Sequence, residues 1–210
     1  RYKVCYAINT AAIWVYDSRM NTINYKHLGM YLLVGIISGG LCAGITTWGL
    51  LPTIVNDHIP AGVLAVAIVV AVRYISVIQF RSGWLSALIL TMACLIGWYL
   101  AIEFGSRYYT TQIYNPVSDW YLVVSGTIGG ASVAIGFTLT WNLSRPRFAI
   151  AVITMAGMLG GILLFILALI EYMETLGLFV VWQSILLLGI SISAQIESAK
   201  SVRVANDSHN

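Results

Sequence analysis

Charge is what this chain has least of. Of its 210 residues only 9% are charged, 11 basic and 8 acidic, against about 25% in ordinary soluble domains. So few ionised groups cannot cover a water-soluble globule, which excludes a soluble enzyme, a nucleic-acid module and a disordered chain. The net charge of +3 is also too small and too dispersed for a nucleic-acid surface. Cysteine is scarce and odd in number: Cys5, Cys42 and Cys94, with no CxxC pair. That is neither a disulfide framework nor a metal site. Cys42 and Cys94 fall inside apolar runs and read as small buried residues. Histidine is equally thin. His27, His58 and His209 lie outside the apolar runs, and none pairs with Cys or Glu at metal-ligand spacing. Ser125-Gly126 has no intramembrane histidine to serve as base, so serine catalysis is not expected. No phosphate loop or dinucleotide fingerprint follows a strand. No catalytic residue, metal or cofactor is expected.

What the chain has in abundance is apolar sequence: 59% of residues and a mean hydropathy of +0.85. A helix needs about 20 apolar residues to cross a bilayer. Six runs qualify, at 28–51, 59–80, 84–104, 119–141, 147–170 and 175–195. Turn chemistry separates them: Pro52, Asn56-Asp57 and Pro60; Arg81-Ser82-Gly83; Asn115-Pro116; and Asn142 through Pro146. Backbone amides in lipid need internal partners, so the runs should be helices. A β-barrel would need strands of about 10 residues with alternating polarity. The expected fold is all-α, a polytopic membrane protein of six transmembrane helices.

The basic residues set an orientation. With the N-terminus in the cytoplasm, Arg1, Lys3, Arg19, Lys26, Arg73, Arg81, Arg145, Arg147, Lys200 and Arg203 fall on the inner side and only Arg107 outside. This is a strong positive-inside bias. Asp57, Glu103, Asp119, Glu171 and Glu174 sort to the outer side. Both termini are therefore expected in the cytoplasm, with the bacterial inner (plasma) membrane the expected location. The chain opens on Arg1 rather than Met, which reads as a trimmed start, since a cleaved leader would leave the new end outside. Residues 4–16 are apolar but too short to span. With Tyr2, Tyr6, Trp14 and Tyr16 they suit a helix lying at the interface. The expected division is an N-terminal segment 1–27, a first membrane unit 28–104, an external loop 105–118, a second membrane unit 119–195 and a polar, frayed tail 196–210. In the loop, Tyr108, Tyr109 and Tyr114 are expected to anchor at the interface.

The two membrane units match weakly but in order. Tyr31-Leu-Leu-Val-Gly-Ile-Ile-Ser-Gly-Gly and Tyr121-Leu-Val-Val-Ser-Gly-Thr-Ile-Gly-Gly share Tyr, Leu, Val and the Gly pair at an offset of 90. Pro60 and Pro146 precede or open the second helix of each unit. Trp84 and Trp182 each begin a W-x-S-x-L-x-L pattern. Three helices per unit is odd, so the second unit must enter from the opposite face. That describes a 3+3 inverted repeat, an organisation frequent in secondary transporters and some channels.

Glycine supplies the candidate residues. Gly35-xxx-Gly39, Gly40-xxx-Gly44, Gly126-xxx-Gly130 and Gly157-xxx-Gly161 let helix backbones approach closely. Gly35, Gly44, Gly126, Gly157 and Gly161 are read as packing positions. The pairs Gly39-Gly40 and Gly129-Gly130, matched between the units, are read as the candidate path for a ligand, with Ser38 and Thr127 beside them. Arg73 joins this set as the one ionisable residue well inside a span. Its bland reading is snorkelling to the inner headgroups; the alternative is an anion or lipid-phosphate contact. Gln183 should find an interhelical partner, and most of the other hydroxyls should bond their own helix. Two functions follow. The first is a small transporter or channel moving a small solute or ion between the two units. The second is a non-catalytic membrane subunit or anchor of a larger complex. The expected partners are the lipid bilayer and further copies of the chain or other membrane subunits, with no nucleic acid.

Overall fold

A computed structural model describes residues 24–48, 59–75, 81, 83–111, 120–169 and 175–207. They form six helices: α1 (Tyr25–Trp48), α2 (Ile59–Ile75), α3 (Gly83–Thr111), α4 (Trp120–Thr140), α5 (Pro146–Leu169) and α6 (Thr175–Asp207). Five of them, all but α2, are long and apolar enough to cross a membrane. The described part of α2 has 17 residues, about 25 Å of helix. Residues 76–80 of the expected second span lie outside the described residues. So do the expected interfacial helix at 4–16, Cys5, His58, His209 and the loop tyrosine Tyr114.

The helix starts follow local chemistry. Asn24 caps α1: its Oδ1 accepts the N–H groups of Lys26 at 3.0 Å and His27 at 3.4 Å, the second and third positions of the helix. Arg145 caps α5 through its carbonyl, which accepts the N–H groups of Phe148 and Ala149. That leaves Pro146 at the first helical position, where its missing N–H has no cost.

Two boundaries differ from expectation. The segment expected as an external loop from 105 continues as helix to Thr111. The segment expected as a frayed tail from 196 stays helical to Asp207. Both stretches lack proline, so neither contains a residue that must end a helix where hydropathy falls. Glu197 also anchors that part of α6, as described below.

Each helix packs on its neighbours in the chain, and α1 closes the ring on α6. Among the described residues, the contacts of α2 with α1, α3 and α6 are the sparsest, and those of α4 with α5 the densest. Outward-facing side chains are as apolar as inward-facing ones. Leu33, Ile37, Leu41, Val66, Ile96, Leu139 and Met155 are each more than half exposed. A water-soluble monomer does not present so much apolar surface; a bundle solvated by lipid does. The chain is a helical membrane-embedded protein.

Hydrogen bonds stitch one end of this bundle together. The Asn24 N–H donates to Gln195 Oε1 at 2.6 Å, bringing the start of α1 to α6. The Arg81 N–H donates to the Thr140 carbonyl at 3.0 Å, and Arg81 Nε to the Trp141 carbonyl at 3.1 Å. Ser86 Oγ reaches the same Thr140 carbonyl at 3.1 Å. Glu197, buried on α6, accepts from Ser144 N at 2.7 Å, Ser144 Oγ at 2.7 Å and Arg145 N at 2.8 Å. The carboxylate satisfies donors at the start of α5 and sits at the positive end of that helix.

Candidate functional site

Glycine decides how closely the helices approach. On the α4–α5 seam a Cβ at Gly157 would lie 2.5 Å from the Gly126 carbonyl oxygen and 2.6 Å from Gly130 Cα. One at Gly161 would lie 2.5 Å from the Leu122 carbonyl oxygen. Backbone faces backbone, so nothing can move aside. Gly126, Gly130, Gly157 and Gly161 thus stand where the two backbones come closest. Gly35 plays the same part on α1, where a Cβ would meet Ser184 Cα of α6 at 2.5 Å. At Gly44 a Cβ would meet no atom of another helix within 4 Å among the described residues.

The residues read as a ligand path do not converge. Gly39 presses on the α6 backbone, 2.6 Å from Val180 Cα by the same measure, while Gly40 beside it meets nothing within 4 Å. In the matching pair, Gly129 faces the Trp182 ring of α6 and Gly130 faces Gly157 of α5. The two pairs share a sequence pattern but not an environment. Thr127 Oγ1 donates to the Val123 carbonyl of its own helix at 2.7 Å, a local bond that costs a membrane helix little. Arg73 lies exposed in the last turn of α2, away from the other six.

Ser38 does meet other polar side chains. Its Oγ donates to Gln183 Oε1 of α6 at 2.8 Å and lies 3.1 Å from the Gly35 carbonyl. Gln183 Nε2 in turn donates to Cys42 Sγ at 3.3 Å, and Cys42 Sγ lies 3.9 Å from the Pro60 carbonyl of α2. Gln183 thus has the interhelical partner expected of it. All three side chains are buried, and Ser38 stands about 20 Å along α1, near its midpoint. This is an uncharged hydrogen-bonding cluster set where α1, α6 and α2 meet. A hydroxyl, an amide and a thiol can orient a small polar molecule; they offer no charge and no general base. Cys42 was passed over in the sequence as a buried apolar residue. Its position one turn after Ser38 on the same face was the available signal.

A second feature lies on α6. Trp182 inserts between α4 and α5, with Gly129 against one part of its ring and Gly160 against another. Its Nε1 has no hydrogen-bond partner among the described residues, and neither does Ser184 Oγ or Thr154 Oγ1. Among the described residues no group of three His, Cys, Asp or Glu side chains is placed to hold a metal ion. No family model, curated protein or solved structure matches this chain.

Proposed function

We propose that this protein is a small membrane transporter or channel that passes a small, uncharged polar solute past the Ser38–Gln183–Cys42 cluster. One observation carries the reading. Three buried polar side chains, Ser38, Gln183 and Cys42, gather mid-helix where α1 and α6 meet beside α2. Polar groups deep in a membrane protein are costly unless they are used or satisfied. The inverted 3+3 organisation belongs to this proposal. In it α2 and α5 are counterparts, with α5 held to α4 across a glycine seam. Both termini lie in the cytoplasm and the host membrane is the bacterial inner membrane, on the strength of the basic residues at the end stitched by Asn24, Arg81 and Glu197.

The test is osmotic swelling of proteoliposomes in glycerol and in urea, read by stopped-flow light scattering. Swelling several-fold faster than in protein-free vesicles is expected, and Gln183→Met should remove most of the difference. Rates equal to those of empty vesicles for both solutes would overturn the transport reading.

A second reading is favoured by a different observation. Gly40 and Gly44 on α1 and Gly62 on α2 meet nothing within 4 Å, leaving one GxxxG surface of α1 open to another helix. On this reading the chain is a membrane-embedded subunit or anchor, joined through α1 to further copies or to other membrane subunits. Co-purification in mild detergent at a fixed stoichiometry, with no solute flux, is the result it requires.

A further inference from the structure

The end of the bundle at the start of α1 carries basic side chains that the foregoing does not use. Lys26 lies in the first turn of α1, Arg73 in the last turn of α2, Arg81 between α2 and α3, and Arg145 and Arg147 at the start of α5. All five are exposed. The carboxylate described among them, Glu197, already receives Ser144 and the Arg145 backbone N–H. None of the five side chains forms an ion pair among the described residues. Five basic side chains face one buried carboxylate, Glu197, so the described part of this end is net positive.

Arg81 is the best placed of them. Its backbone N–H and its Nε are both tied to the end of α4, on the Thr140 and Trp141 carbonyls. The side chain is thereby held in position, while the terminal nitrogens of the guanidinium have no partner among the described residues. A guanidinium fixed through Nε keeps its remaining fork for bidentate recognition of a phosphate. Trp84, one turn beyond, is 78% exposed, and Tyr74 and Tyr25 are 82% and 81% exposed. Exposed aromatics beside arginine mark the headgroup depth of a bilayer, so the anion presented there is a lipid's.

We propose that Arg81, Arg145 and Arg147, with Trp84 alongside, form a binding site for the headgroup of an anionic phospholipid. Arg81 takes the phosphate and the two arginines of α5 supply supporting charge. A basic residue near an anionic membrane surface contributes about 1 kcal/mol, so each one removed should weaken binding about fivefold. The inference rests on membrane residence and is independent of what, if anything, the protein transports.

The experiment is native mass spectrometry of the full chain in mild detergent. It is titrated in turn with phosphatidylglycerol, phosphatidylcholine and inorganic phosphate. Phosphatidylglycerol should bind at least tenfold tighter than phosphatidylcholine, and millimolar phosphate should not displace it. Arg81→Gln and Arg147→Gln should each weaken phosphatidylglycerol about fivefold and leave phosphatidylcholine unchanged. Arg147 makes no internal bond among the described residues, so its variant reads lipid binding even where loss of the Arg81 links disturbs the fold. Equal binding of the two lipids overturns the proposal, as does an Arg147→Gln variant with wild-type selectivity. Displacement by inorganic phosphate overturns the lipid as the source of the anion.

Discussion

The α4–α5 seam and the outer face of α1 are written in the same letters and put to different use. Gly126, Gly130, Gly157 and Gly161 bring two backbones to within the space a single Cβ would fill, whereas Gly40 and Gly44 have no neighbour within 4 Å. Within α1 itself the two consecutive motifs part company: Gly35 and Gly39 face α6, and Gly40 and Gly44 do not. The difference teaches that a GxxxG spacing marks where a helix can be approached closely, not whether anything approaches. In a membrane, where lipid and side chain are equally apolar, dispersion and close fit decide which of several such faces is taken. The face taken here is the one opposed by small groups: Gly157 against Gly130, and Ser184 against Gly35.

The largest effect should come from forcing that seam apart. Gly157→Leu places a branched side chain where the Gly126 carbonyl and Gly130 Cα stand. Overpacking of a core costs about 1–3 kcal/mol where side chains can adjust; against backbone the cost should reach or pass the upper end of that range. Thermal unfolding in detergent should show a melting temperature many degrees lower, or no folded material at all. A Gly157→Leu protein as stable as wild type would mean that α4 and α5 are not in backbone contact.

Next in size is the anchor at the start of the same seam. Glu197→Ala leaves Ser144 N, Ser144 Oγ and Arg145 N without their acceptor. Hydrogen bonds to a charged group contribute about 1.5–3 kcal/mol, and water at the membrane surface will replace part of the loss. A destabilisation of about 2 kcal/mol is expected in the same melt. Hydrogen exchange should rise selectively in the first turn of α5. A uniform rise over all six helices would show instead that Glu197 holds the whole bundle rather than this junction.

Membrane residence and the six helices were legible in the sequence because they follow from composition and run length, which need no partner. The break before α5 was legible for the same reason: Pro146 acts on its own helix, whereas the Asn24 cap of α1 was not read from the sequence. Partner choice was not legible. Nothing in the local spacing says that Gly39 meets Val180 while Gly40 meets nothing, because that depends on how α1 is rotated against α6. Gln183 was the partial exception. An amide inside a membrane needs a partner whatever the rotation, so its need was predictable although Ser38 and Cys42 as the answer were not. The helical tail to Asp207 was missed because hydropathy marks where a span ends, not where a helix does.

A smaller effect is expected where α1 meets α6. Gln183→Leu removes the acceptor of Ser38 Oγ and the donor to Cys42 Sγ. Interhelical hydrogen bonds in membranes average about 0.6 kcal/mol, so the loss of stability should stay near 1 kcal/mol. A stability change of that size accompanied by a large loss of solute flux would separate a pathway role from a packing role. A loss of several kcal/mol with no flux to lose would make the cluster a structural lock.

The smallest effect on the folded chain should come from the unused face. In Gly40→Leu the new Cβ meets no described atom within 4 Å, and the substitution replaces a poor helix former with a good one. The isolated protein should therefore melt unchanged or a few degrees higher, the opposite sign to Gly157→Leu. Oligomeric state tells what the melt does not. If α1 receives a second helix at Gly40 and Gly44, a leucine there holds the two backbones apart, and the mass measured in detergent should fall to that of a single chain. If lipid alone covers this face, mass and melting temperature should both match the parent, and the glycines of this helix divide into a pair that packs and a pair that does not.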